Sequence, residues 1–184
     1  MKQSEIKEVW LVRHGQTEAN VERRLAGWKD VSLSSFGIKQ AISLRPILEK
    51  YKFDTVWSSD LKRSIVTANL AFHQKAQLDI RLREIDFGVL DGELWNNIEE
   101  KYREELLTFK KYNVPNGENL DHFFHRVNSF IKSLPSGKHL IFTHRGVIRA
   151  IMKLVNYDKF LPPGSIIAVD LIKKKIIFEL LGKE

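Results

Sequence analysis

Arg13, His14 and Gly15 stand directly after the apolar run Val9–Val12. The run has the length and composition of a buried β-strand, so its end would bring a cation, a titratable imidazole and a flexible joint to one place. A neutral imidazole has a lone pair suited to attack on phosphorus, and a guanidinium matches the oxygens of a phosphate group. The motif therefore indicates a reactive, anion-binding site at the tip of a core strand.

Two further apolar runs end in residues of related chemistry. The run in TVWSS leads to Asp60 and Arg63, and the run in HLIFTH ends at Thr143 and His144. In open parallel α/β sheets, ligands bind beyond the carboxyl ends of the strands, so neighbouring strands would bring two histidines and two arginines together. Asp60 is predicted to cap the next helix and to place Arg63 in its first turn, where N–H groups attract anions. Such a pocket suits transfer of a phosphoryl group onto nitrogen.

The segments between the runs have the periodicity of helices. After TVWSS, one helical face carries Leu61, Ile65, Ala68 and Phe72. Another helix is predicted from about Ser35 to Lys50, which Pro46 should kink or shorten. Buried strands that alternate with helices predict an α/β fold with a mostly parallel sheet between helical layers.

The middle of the chain departs from this alternation. Two helical stripes, one from Trp95 to Phe109 and one from Leu120 to Leu134, follow each other without a strand. We expect a helical excursion over about residues 94–134 that caps the active-site edge of the sheet. The final segment, SIIAVDLIKKKIIFELL, predicts two strands joined by a tight lysine-rich turn.

Length and composition limit the class of protein. A chain of 184 residues is most simply one domain, spanning 1–184, and its lack of cysteine excludes disulfides and thiolate chemistry. The N-terminal segment is too polar for a secretory signal and no apolar run has membrane-spanning length, so we expect a cytoplasmic protein without a membrane partner. The net charge of +7 favours an anionic ligand.

Ordered motifs along most of Val9–Ala150 resemble those of one family. LVRHGQTEAN resembles the R-H-G-x-T signature of the histidine phosphatase superfamily, in its phosphoglycerate mutase-like branch. SSDLKRSIVTA resembles its second arginine motif, LREIDFGVLDG its acid-bearing segment, and IFTHRGVIRA its second-histidine motif. NVERRLAGWKDVSLSSFGIKQA and PNGENLDHFFHRV also resemble segments of that family. The resemblance implies the family's three-layer α/β/α sandwich.

The resemblance also implies roles for individual residues. His14 corresponds to the nucleophile that accepts the phosphoryl group as a phosphohistidine. Arg13, Arg63 and His144 correspond to residues that bind the phosphoryl oxygens, and Asn20 to a residue that lines the pocket. Arginine charge offsets the negative charge of the transition state, so no metal or other cofactor is expected.

Glu84 corresponds to the acid that protonates the leaving group and then takes a proton from the hydrolytic water. The residues alone leave this choice open, because Asp86, Asp91 and Glu93 are close by on a predicted loop. The chain departs from the family pattern at Arg145, where a small residue is usual, and at Leu90 and Asp91. These departures lie where the part of the substrate beyond its phosphate group would contact the protein. The remaining histidines are predicted to be surface or packing residues: His73, His122, His125 and His139.

Three classes of function compete. The first is a metal-independent phosphomonoesterase acting on small phosphorylated metabolites, and the second is a cofactor-dependent phosphoglycerate mutase, which carries longer insertions. The third is a non-enzymatic anion- or nucleic-acid-binding module, but the basic residues are scattered among acids, as in EEKYREELLTFKKY. No H-E-x-x-H spacing supports a metal hydrolase. The sequence predicts the phosphatase, without a nucleic-acid partner, as a monomer or homodimer.

Overall fold

A six-stranded sheet forms the centre of the fold. The structure, a computed structural model, describes residues 6–183. Its strands lie in the order β3-β2-β4-β1-β5-β6. The first four are parallel to one another, and β5 runs antiparallel to both neighbours. The strand bounds are β1 Lys7–Arg13, β2 Thr55–Ser58, β3 Gln77–Leu78, β4 Gly137–Thr143, β5 Ile166–Asp170 and β6 Lys175–Leu180.

Helices cover both faces of this sheet. Side chains alternate along β1, so Val9 and Leu11 pack with the apolar faces of α5 and α6, whereas Trp10 and Val12 pack with α2 and α3. Six α-helices are described: α1 Glu18–Val21, α2 Ser35–Leu48, α3 Lys62–Ala71, α4 Glu100–Thr108, α5 Leu120–Ser133 and α6 Arg145–Lys153. The predicted α/β sandwich and the C-terminal hairpin are confirmed.

Some local predictions were wrong. Asp60 does not cap α3, since the capping position is Leu61 and the Asp60 carboxylate is bound by the Arg83 guanidinium at 2.6 and 2.7 Å. Arg63 nevertheless lies in the first turn of α3. The stripe that begins at Trp95 starts as a 3-10 turn, and α4 begins only at Glu100.

Helix α2 continues through Pro46 and ends two residues later, at Leu48, which agrees with the shortening expected from Pro46. Within residues 6–183, the structure contains no helix that is both long and apolar enough to cross a membrane.

Candidate active site

The carboxyl ends of β1, β2 and β4 lie side by side and form the floor of the site. The N–H of His14 donates to the carbonyl of Thr143 at 3.1 Å, and the N–H of Ser59 donates to the carbonyl of Phe142 at 3.0 Å. Because β4 lies between β1 and β2, these bonds join the three strand tips. His14 and His144 are thereby brought together, with ring centroids 5.2 Å apart.

The hydrogen bond of His14 determines which of its nitrogens can react. Nδ1 lies 2.8 Å from the carbonyl oxygen of Gly15, and a carbonyl accepts only, so Nδ1 carries the proton. Nε2 is then left with the lone pair. Burial, and after it the charges of Arg63 and Arg13, lower the pKa of His14 well below its ordinary value. The imidazole is therefore neutral at neutral pH, the state that a nucleophile requires.

His144 presents a free nitrogen in the same place. Its Nε2 lies 2.8 Å from the Ser59 hydroxyl and 3.4 Å from that of Ser64, while its buried Nδ1 has no partner among the described residues. Burial and the charge of Arg63 lower the pKa of His144 as well. When Ser59 donates to Nε2, the proton of the neutral ring lies on Nδ1, which becomes a hydrogen-bond donor without an acceptor.

Arg13 lies beside His14 at the end of β1 and is almost fully buried. Its Nη1 donates to the carbonyl of Leu161, whereas its buried Nε has no partner among the described residues. Burial, and next the charge of Arg145, lower the pKa of Arg13 to about 9. A buried cation with an unused donor costs free energy unless an anion binds there.

Arg63 is held by a loop from another part of the chain. Its Nη atoms donate to the carbonyls of Ala26, Gly27 and Lys29 at 2.6–3.2 Å. The Asp91 carboxylate binds the same loop, accepting from the N–H groups of three successive residues, Gly27 to Lys29. Asp91, one of the departures from the family pattern, thus fixes the loop that orients Arg63.

Glu84 is bound by the first turn of α6. Its two carboxylate oxygens accept from the Gly146 N–H at 3.1 Å each, and Oε1 also accepts from the N–H of Ile85. Its own carbonyl accepts from the guanidinium of Arg126 and from the indole of Trp28. Glu84 lines the same cleft as His14, whereas Asp86, Asp91 and Glu93 do not.

A cleft of about 780 Å³ opens above this floor. Asn20 lies on its wall, and the Asn20 Oδ1 accepts from the N–H of Thr17 in a capping box, so its amide N–H groups remain available. The excursion contributes Trp95, Asn96 and Leu107 to the wall. Sequence reasoning missed several other cleft residues: Gln16, Arg23, Arg24, Gln40, Phe160 and Lys183.

The other histidines take no part in this site. His139 is buried at the start of β4, where its ring nitrogens contact the Thr55 hydroxyl and the Pro135 carbonyl. The remaining three lie outside the cleft lining. In the part of the chain that the structure describes, no group of three His, Asp or Glu side chains is placed to hold a metal ion.

A family model described as the histidine phosphatase superfamily (branch 1) matches residues 9–163. The chain belongs to this superfamily. A solved structure of phosphoglycerate mutase from Thermus thermophilus superposes with a TM-score of 0.88 at 40% identity, covering 97% of this chain and 100% of the other. The predicted family and fold are confirmed.

Relatives within the superfamily carry two kinds of name. Fructose-2,6-bisphosphatase of Saccharomyces cerevisiae is 35% identical over 79% of this chain, but the match spans only 33% of that protein. The 2,3-bisphosphoglycerate-dependent phosphoglycerate mutase of Bartonella bacilliformis is 32% identical, over 79% of each chain. The names thus include both a phosphatase and a mutase.

Proposed function

We propose that this protein is a metal-independent phosphomonoesterase that hydrolyses small phosphorylated metabolites through a phosphohistidine at Nε2 of His14. The observation that carries the proposal is the state of that imidazole: buried, neutral, with Nδ1 bound to a carbonyl and Nε2 unprotonated. It lies beside two arginines and the free Nδ1 of His144, which together suit a phosphoryl group.

In the first step, the lone pair of Nε2 attacks phosphorus, and the bond between phosphorus and the ester oxygen breaks. Glu84 gives its proton to that oxygen, which leaves as an alcohol. Arg13, Arg63 and His144 stabilise the charge on the remaining phosphoryl oxygens. In the second step a water attacks phosphorus, Glu84 takes one of its protons, and the bond from phosphorus to Nε2 breaks, releasing phosphate.

Access of water favours the phosphatase over the mutase. A mutase has to keep its phosphohistidine dry while a bisphosphorylated intermediate turns over. Here the cleft is far larger than a phosphate group, and two of its wall side chains, Leu107 and Phe160, are 60% and 53% exposed. We infer that water reaches the phosphoenzyme and that transfer to water dominates.

The test is to incubate the enzyme, in excess EDTA, with 3-phosphoglycerate and a trace of 2,3-bisphosphoglycerate, and separately with p-nitrophenyl phosphate. We expect phosphate release from both and little 2-phosphoglycerate. His14→Ala should abolish both reactions and the acid-labile phosphoenzyme, whereas the matched control His73→Ala, at an exposed histidine, should retain them. Rapid isomerisation without phosphate release would identify a mutase, and loss of activity in EDTA that a divalent ion restores would contradict the metal-free mechanism.

A further inference from the structure

The charge of the cleft exceeds what one phosphoryl group requires. Among the described residues, its lining contains one carboxylate, that of Glu84, and five basic side chains: Arg13, Arg23, Arg24, Arg145 and Lys183. The charge of Arg63 also acts on His14 at the floor of the cleft. Arg24 is already bound to the Glu22 carboxylate and to the carbonyl of Gly92.

Arg145 is a partly buried cation on the wall of the cleft. Of the polar groups in residues 6–183, none accepts a hydrogen bond from its guanidinium, and no carboxylate lies within salt-bridge distance of it. The guanidinium instead lies over the ring of Phe160, with the carbon 5.1 Å from the ring centroid. The charge of Glu84 acts on Arg145, but the Glu84 oxygens are bound by backbone N–H groups. Burial lowers the pKa of Arg145, and the charge of Glu84 opposes that effect.

A second guanidinium lies at the same ring. The Arg13 guanidinium carbon is 5.6 Å from the Phe160 centroid, and its repulsion with Arg145 contributes to the lowered pKa of Arg13. Two like charges that share one aromatic ring repel each other, and the buried Nε of Arg13 has no partner among the described residues. An anion between or beside them would relieve the repulsion and satisfy the donors.

Arg145 and His144 differ in burial. His144, the preceding residue, is fully buried on the floor with its free Nδ1, where the transferred phosphoryl group would bind. Phe160, which Arg145 contacts, is more than half exposed at the rim of the cleft. Arg145 lines the cleft, whereas His144 is fully buried and is not among the lining residues.

We propose that Arg145 binds a second anionic group, so that the preferred substrates are phosphomonoesters carrying a carboxylate or a further phosphate beyond the ester linkage. This inference rests on the proposed phosphatase function. Arg145 is the residue that distinguishes such substrates from phosphomonoesters with a neutral far end.

Three phosphomonoesters of primary alcohols with three carbons test this inference: the monophosphate of propane-1,3-diol, its bisphosphate, and 3-phosphooxypropanoate. They differ at the far carbon, which is a hydroxymethyl, a phosphooxymethyl or a carboxylate group, so protonation of the leaving oxygen by Glu84 contributes similarly to all three. The rate measured for the bisphosphate is halved before comparison, because either of its two equivalent groups can be transferred. We expect kcat/KM to be higher for one or both of the doubly anionic compounds. Arg145→Gln should lower that preference by about 10- to 100-fold, the value of one charged hydrogen-bonded contact. Arg145→Lys should retain part of it, and Lys62→Gln, which removes an exposed charge outside the cleft lining, should leave it unchanged.

Binding of the same compounds to the His14→Ala variant, measured by calorimetry, tests the subsite independently of turnover. The double variant with Arg145→Gln should lose the affinity preference. Equal losses of affinity for all three compounds in the double variant would mean that Arg145 binds the transferred phosphoryl group. Equal affinities of the three compounds for His14→Ala itself would mean that no second-anion subsite exists. Either result overturns the inference. Failure to hydrolyse p-nitrophenyl phosphate would instead contradict the proposed function, and the calorimetric comparison would still decide on Arg145.

Discussion

The carbonyl oxygen of Gly15 and the hydroxyl of Ser59 have complementary effects on the two histidines at the floor of the site. The carbonyl holds the proton of His14 on Nδ1 and exposes a lone pair at Nε2. The hydroxyl can donate to Nε2 of His144 and so leave an N–H at Nδ1. Two residues of one type thereby acquire opposite roles, one as nucleophile and one as donor to an anion, because a different nitrogen is occupied in each.

Replacing Glu84 by Gln should slow hydrolysis of alkyl phosphates by roughly 10²- to 10⁴-fold, the usual contribution of a general acid. The loss should be much smaller for p-nitrophenyl phosphate, because its leaving group needs little protonation. Steady-state kcat on the two substrates measures the difference. Equal losses on both would show that Glu84 is not the proton donor.

The N-terminus of α6 positions that acid. Gly146 donates its N–H to both Glu84 oxygens, and a Cβ added to Gly146 would overlap with Oε1 of Glu84. A glycine at this position therefore allows the carboxyl group of Glu84 to approach the first turn of α6 closely.

Gly146→Ala should displace the Glu84 carboxylate and reproduce the substrate pattern of Glu84→Gln, with a large loss on alkyl phosphates and a small one on p-nitrophenyl phosphate. Alanine favours helix over glycine, so α6 itself should persist by circular dichroism. If the substitution acts through Glu84, the double variant should lose no more activity than Glu84→Gln alone. Additive losses would show that Gly146 acts by another route.

Elements with a clear period were predictable from the sequence, whereas their long-range partners were not. The runs that end at Arg13 and His144 were predicted as strands because apolar composition and the polar break are local features. Asp60 was wrongly predicted as a helix cap, because the competing partner, Arg83, is distant in the chain and reaches it only in the folded sheet. The 3-10 turns between residues 80 and 90 have no repeating apolar pattern, so no periodicity could indicate them.

The difference between local patterns and long-range contacts also explains which cleft residues could be predicted from the sequence. His14, Arg13, Arg63 and His144 follow apolar runs and match motifs, so their convergence could be predicted. Phe160 and Lys183 reach the cleft from segments with no recognisable motif. Their positions depend on tertiary contacts such as the hydrogen bonds of Gln40 to the carbonyls of Pro163 and Lys183.

At the scale of the whole molecule, burying neutral histidines makes stability depend on pH. Burial lowers the pKa of His14, His139 and His144, so on acidification the unfolded chain binds protons at about pH 6.5 that the folded chain does not. The free energy of unfolding therefore rises with pH through about pH 6.5, and it decreases as the pH falls below that value. The lowered pKa of Asp60, caused by Arg83, acts in a separate window, because its contribution is present above the unfolded value of about 3.9 and lost only as pH falls below it.

The expected result is a free energy of unfolding that is nearly constant from about pH 8 to 7 and decreases from about pH 6.5 to 5. Each histidine should contribute a slope of up to about 1.4 kcal/mol per pH unit, the equivalent of one proton. Urea unfolding at a series of pH values measures the slope. His14→Asn removes one of the three sites and should reduce the slope by up to that amount, even if the variant is more or less stable overall. A free energy of unfolding that stays constant down to about pH 5 would contradict the burial of neutral imidazoles on which the nucleophile depends.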